Sequence, residues 1–213
     1  MGTIKQGILG GFSGKTGTVI GSSWKGIAVM RGIAPSIAQP NTQAQLAQRA
    51  KFSLMGKFLR PLIPFLRIGF KSQAVKMSGF NAAMSYNLEN ALTGTYPDYD
   101  VDYTKALVSE GNLPGALNPE VTSTTAGEIR YTWEDNHTDT NADATDKALL
   151  VVYNPSRNKA VTVVDGNSRI GGSQSITVPS NFSGEEVQCF ISFSNETQAV
   201  LSNSEFVDEI IVS

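Results

Sequence analysis

An α+β chain is expected, with a glycine-rich β-hairpin and two helices followed by an immunoglobulin-like or fibronectin-like β-sandwich. Three features carry this expectation. Eight glycines fall between residues 7 and 32, interleaved with Ser, Thr, Val and Ile. Apolar side chains recur at three- and four-residue steps between residues 42 and 92. Beyond residue 119, short β-branched and aromatic runs alternate with turn-forming pairs. Glycine within strands lets another backbone come close at a cost in chain entropy, and periods near 3.6 and 2 separate helix from strand.

In the opening stretch, Thr16 to Ile20 and Trp24 to Met30 carry the strand-forming side chains, with Gly21-Ser22-Ser23 as turn. A hairpin alone is marginal in water, so this one needs a partner in the same chain or in a neighbouring subunit. Gly32 to Pro40, with two prolines, is a linker. Asn41-Thr42 then caps a helix over Thr42 to Arg60. Ala47, Ala50, Leu54, Phe58 and Leu62 form its apolar face, and Pro61 and Pro64 end or kink it. Ser78 caps a second helix running to Leu92, with Phe80, Met84, Leu88 and Leu92 on one stripe and Gly94 past its end.

Tyr99 to Val108 alternates like a strand, and Gly111 to Pro119 reads as loop. Strands are expected at Ile129–Trp133, Ala148–Tyr153, Ala160–Val164, Ser175–Val178, Glu186–Phe193 and Phe206–Val212. The organisation is therefore a basic hairpin–helix assembly module over 1–97, a strand and linker over 98–118, and an acidic sandwich over 119–213.

Charge is divided sharply along the chain. Residues 1–80 hold eleven Lys and Arg and no acid, whereas the remaining 133 hold all 19 Asp and Glu against six bases, so +11 is followed by −13. Such a split fits an acidic partner such as nucleic acid, or contact between the basic half and an acidic half within the chain or between copies. Hydrophobic content of 40% argues for a packed core. The single Cys189 leaves no intrachain disulfide and reads as a small buried hydrophobe. The opening residues lack the apolar core of a signal peptide, and no run of eighteen apolar residues would span a membrane. Cytoplasmic synthesis follows as the expectation, with a virion or extracellular particle as a destination.

Several motifs invite a chemical reading. Gly14-Lys15-Thr16 resembles the end of a phosphate-binding loop, but Leu9 stands where the first glycine is needed, and the segment favours strand over helix. The single His137 lies in a polar loop, Asp135 to Asp143, without the glycine and closing glutamate of a calcium loop. No Gly-x-Ser-x-Gly elbow accompanies it. Trp24 and Trp133 read as packing anchors. No catalytic residue, cofactor site or metal site is assigned. The candidate assembly or phosphate-contact surface comprises Lys15, Trp24, Lys25, Arg31, Arg49, Lys51 and Lys57. Bases of this kind suit non-specific contacts to a nucleic-acid backbone, because no known readout module accompanies them.

Two blocks resemble a domain-of-unknown-function family from Bacteroidota. The first is Ile8 to Lys15 with Gly17-Thr18-Val19, Gly21 to Gly26 and Met30-Arg31; the second is Thr42 to Gln45 with Gln48 to Phe52. Asp102-Tyr103, Gly111 to Pro114, Trp133 to Asn136, Lys147 to Asn154 and Phe182 to Gly184 extend the resemblance over nearly the whole chain. That family implies no activity and no site residues. The first two blocks are also similar, more loosely, to short phage-like structural proteins.

The function expected is that of a non-enzymatic structural or assembly protein that forms a homo-oligomer or joins other particle subunits. A virion, a phage-tail-like particle or an injection apparatus is the setting, with a cargo or toxin role as a variant. Alternatives are a nucleic-acid-associated protein and a surface or carbohydrate-binding sandwich module.

Overall fold

The computed structural model describes residues 2–4, 7, 10–34 and 42–213. The chain divides into two compact units, Met1–Thr42 and Gln43–Ser213. The secondary structure is mixed, mostly β. Most of the linker expected up to Pro40, and the Asn41 half of the helix cap, lie outside the described residues.

The first unit is one antiparallel sheet in the order β1 (Thr3–Ile4), β2 (Phe12–Thr16), β3 (Val19–Trp24), β4 (Ile27–Gly32). Its turns are Gly17-Thr18 and Lys25-Gly26, and Gly21-Ser22-Ser23 lies inside β3, contrary to the expected turn. The reason is conformational. Gly17 (φ 58°), Lys25 (φ 47°) and Gly26 (φ 83°) take up the left-handed backbone that two-residue hairpin turns demand. Gly21 is needed for space, since a Cβ there would strike the Phe12 ring and carbonyl oxygen.

The second unit has three layers. Helices α1 (Gln43–Leu59), α2 (Ile63–Gly69) and α3 (Gly79–Asn90) form the first. The middle sheet is ordered β10 (Lys159–Val163), β9 (Lys147–Asn154), β12 (Glu186–Ser194), β13 (Glu205–Ile211). The outer sheet is ordered β11 (Ser173–Thr177), β8 (Glu128–Glu134), β7 (Leu117–Thr125). One core lies between helices and middle sheet, with Met55, Phe58, Leu62 and Phe65 against Leu149, Val151, Tyr153 and Phe190. The other fills the space between the sheets, with Tyr131, Trp133 and Ile129 facing Leu150, Val152, Cys189 and Phe193. Burial on both faces explains why β9 reads as an unbroken apolar run from Ala148 to Tyr153, and it extends over β12 from Val187 to Ser194.

The helices behave largely as their sequence dictates. α1 stops at Leu59, Pro61 sits in a 3-10 turn (Arg60–Leu62), and Pro64 falls in the first turn of α2, where its missing N–H costs nothing. Ser78 caps α3 by accepting from Asn81 N (3.2 Å). The stripe Phe80, Met84, Leu88 and Leu92 is only half-buried, because the tightly packed face of α3 is Gly79, Ala82, Ala83 and Asn87. Gly94 belongs to a small hairpin, β5 (Leu92–Thr95) with β6 (Asp98–Val101), and does not cap the helix.

The strand expected up to Val108 stops at Val101, where Asp102 accepts from Thr104 Oγ1 (2.5 Å) and pairs with Lys105 (2.8 Å) to make a turn. Residues 98–118 do not separate two bodies. Glu110 N bonds the Gly69 carbonyl (2.9 Å), Leu113 N bonds that of Leu201 (2.8 Å), and Ser109 Oγ bonds that of Ser202 (2.8 Å), which fastens this segment to α2 and to the chain leading into β13. β7 was hidden in sequence by Pro119 and a run of hydroxyl residues.

Candidate functional site

The N-terminal sheet carries four of the seven candidate surface residues. The register pairs Lys15 with Ile20 and Ile20 with Arg31, so the two cations flank one isoleucine on one face. Alternation puts Ser22, Val29, Trp24 and Ile27 on that same face, and Lys25 occupies the turn closing Trp24 against Ile27. The opposite face carries Ile4, Phe12, Val19 and Met30.

What sets this sheet apart is exposure. Trp24 is 56% exposed and Met30 70%, and Ile4, Ile27, Val29 and Ile33 are exposed as well. Among the described residues of this unit, Gly21 alone is buried. Apolar side chains gathered in the open on one small sheet are what distinguish this unit from the rest of the described chain. A hollow of about 400 Å³ opens on it, lined by Thr3, Gly11, Phe12, Ser22 and Ala28 among others.

The three candidate cations on α1 point in different directions. Arg49 lines a groove with Phe52, Gly56, Arg60 and Met84. Lys51 folds over the Tyr99 ring, 5.1 Å from its centroid. Lys57 lines a separate hollow of about 240 Å³ beside Tyr103, Tyr153 and Asp100. They do not make one stripe along the helix. Burial pushes the Tyr153 phenol up to about 12 and the Tyr103 phenol higher still, so both rings are neutral at physiological pH.

The most elaborate polar arrangement lies elsewhere, around Arg169. Its side chain is fully buried. Nε pairs with Asp146 Oδ2 (3.2 Å), Nη1 donates to Asn136 Oδ1 (2.7 Å) and the Gly115 carbonyl (3.0 Å), and Nη2 to the Pro114 carbonyl (3.0 Å). The guanidinium lies 4.0 Å from the Phe193 ring centroid, and Trp133 Nε1 donates to the Arg169 carbonyl (2.7 Å). Burial lowers the guanidinium's pKa, and Asp146 opposes that shift. A cation so enclosed holds loops together and reaches no external ligand.

The His137 loop serves the same structure. Asp135 accepts from the His137 backbone (3.0 Å) and lies 2.7 Å from its Nδ1, which holds the carboxyl below its ordinary value. Asp139 accepts from Asn136 Nδ2 (2.9 Å), and Asp143 accepts from Thr145 N (2.9 Å), its pKa lowered in turn. Sequence reasoning overlooked Arg169, although two of the resemblance blocks meet there: Pro114 closes one, and Trp133 and Asn136 bracket the other.

A comparison with curated proteins finds no match. A family described as a family of unknown function (DUF6266) matches over residues 11–208, and the chain belongs to that family.

Proposed function

We propose that this protein is a non-enzymatic structural subunit that assembles with copies of itself through its N-terminal sheet, as a component of a particle such as a virion, a phage-tail-like structure or an injection apparatus. One observation carries the reading. The first unit exposes Trp24, Ile27, Val29 and Met30 and buries no apolar side chain among its described residues. A sheet of that kind gains its stability from another surface. The charge split adds support, since a basic first half and an acidic remainder favour encounter between copies.

For the body, the reading is a fibronectin-like variant of the immunoglobulin-like sandwich. Its support is strand order. Counting β7 to β13 as first to seventh, the fifth, second and first form one sheet, and the fourth, third, sixth and seventh form the other. The fourth strand has crossed from its place in the constant-type immunoglobulin arrangement.

The test is the mass of the purified chain by light scattering over a concentration series at low and high salt. A defined oligomer above the 22.8 kDa chain supports assembly. A mass of one chain at every concentration and salt removes it. A second reading, non-specific contact with a nucleic-acid backbone, is favoured by Lys15 and Arg31 on one acid-free face. It predicts a gel shift on DNA or RNA whose affinity falls steeply with salt, and no shift at low salt sinks it.

A further inference from the structure

We infer that β4 is the joint of the assembly: its outer edge pairs antiparallel with β4 of a second copy, Met30 lying opposite its own counterpart. The inference rests on the assembly reading above and assigns its geometry. Ile33 N donates to the Thr18 carbonyl (2.8 Å), which sets the phase of the ladder between β3 and β4. In an antiparallel pair the bonded positions alternate, so the Ile20–Arg31, Ser22–Val29 and Trp24–Ile27 pairs use their backbone groups inward. Ala28, Met30 and Gly32 therefore turn their N–H and C=O groups to the outside. All six residues of β4 are exposed, and β4 ends the sheet order among the described strands.

A second copy's β4 is the occupant because β4 matches itself in register, whereas the edges of β7, β10 and β11 are guarded against pairing. β7 holds Pro119 and two register shifts, and it packs beside β13. β10 begins with Lys159, and β11 is largely polar. Proline, lysine, bulges and shortness are the usual means of keeping an edge from pairing. β4 has no proline, its one charged residue is Arg31, which the proposed register sets opposite Val29, and its pairing with β3 runs unbroken over six pairs. The strand is also complementary to itself. With Met30 at the two-fold axis, Ala28 faces Gly32 of the second copy and Arg31 faces Val29, so no like charges lie directly opposite. The two four-stranded sheets would then run on as one of eight strands.

The test measures the full chain by light scattering, with circular dichroism as the check on folding. Met30→Pro removes an N–H that the sheet does not use, so the fold should persist while association weakens at least about tenfold. Met30→Ala keeps the edge hydrogen bonds and loses only the side-chain contact, so it should weaken association less than Met30→Pro does. Under mild oxidation Met30→Cys should give a covalent dimer, and Ser23→Cys, one strand inward, should not; Cys189 is buried and stays out of the reaction. If Met30→Pro loses its fold, the cysteine pair decides alone. A parent chain that associates, with Met30→Cys failing to cross-link, overturns this joint and leaves assembly standing. A parent chain of single mass at every concentration overturns both.

Discussion

The two units solve the stability problem in opposite ways. In Gln43–Ser213 the middle sheet is covered on both sides, so Leu149 and Val151 meet the helices while Leu150 and Val152 meet the outer sheet. In the first unit the strands carry comparable residues, Ile, Val, Met and Trp, yet none is buried. The difference is the number of layers. A sheet needs something against its face before apolar side chains contribute, at about 25 cal/mol per Å² of surface removed from water. Among the described residues, the glycine-rich sheet buries only Gly21, so its apolar side chains gain little from the packing of their own unit.

The contrast breaks most visibly where burial is complete. Asp146→Ala leaves the Arg169 guanidinium buried without its counter-charge, with about 3–5 kcal/mol of stability lost. Asp146→Asn should lose less, because an amide oxygen still accepts from Nε. Chemical denaturation measures both, and an alanine variant within about 1 kcal/mol of the parent would mean that water replaces the carboxylate. Phe58→Ala belongs to the same class. Its ring stands edge-on to Tyr153 at 5.1 Å and to Tyr103 at 5.6 Å, and its truncation should cost about 3–5 kcal/mol.

Much of this body was legible in the sequence because short-range rules governed it. The proline positions after α1, the Ser78 cap and six of the body's strands follow from spacing and turn chemistry. What escaped depends on contacts distant in sequence. The boundary expected over 98–118 disappears because Ser109 bonds residues near 202, which no local pattern reveals. Arg169 gave no signal because its five partners come from four separate segments. In the N-terminal sheet the error was of another kind. Gly21-Ser22-Ser23 has turn composition, but glycine serves there to admit the Phe12 ring, while Lys25, an unlikely residue for positive φ, makes the turn. Of the candidate surface residues, Lys15 and Arg31 share a face only through the register of β3 with both its neighbours, which a turn placed at Gly21-Ser22-Ser23 does not supply. The scatter of Arg49, Lys51 and Lys57 required the helix to be placed among its neighbours.

A middle-sized effect tests how tightly the body is packed. At Gly79 a Cβ would land on the Leu66 carbonyl oxygen, with the Leu66 carbonyl carbon 3.1 Å and Arg67 Cα 3.4 Å away. Backbone cannot swing aside as a side chain can, so α3 must shift from α2. Gly79→Ala should cost about 1–3 kcal/mol despite alanine's better helix propensity. A gain in stability would show that the α2–α3 contact is looser than the close approach implies.

The smallest effect sharpens the comparison furthest. Trp24→Ala removes more apolar surface than Phe58→Ala, yet the Trp24 ring is already 56% exposed, and Gly21 is the one buried residue described in its unit. Surface truncations of this sort fall within about 0.5 kcal/mol, so the thermal midpoint of the dilute protein should move by less than about 2 °C. The same substitution measured where copies associate has a different expectation, because any contact covering this face would then be lost with the ring. A large loss in dilute solution would mean that the indole is covered within a single chain, and the N-terminal sheet would cease to be the exposed counterpart of the body. A negligible loss in dilute solution with weakened association at high concentration would place the value of Trp24 in the contact between molecules, where a coreless sheet has most to gain.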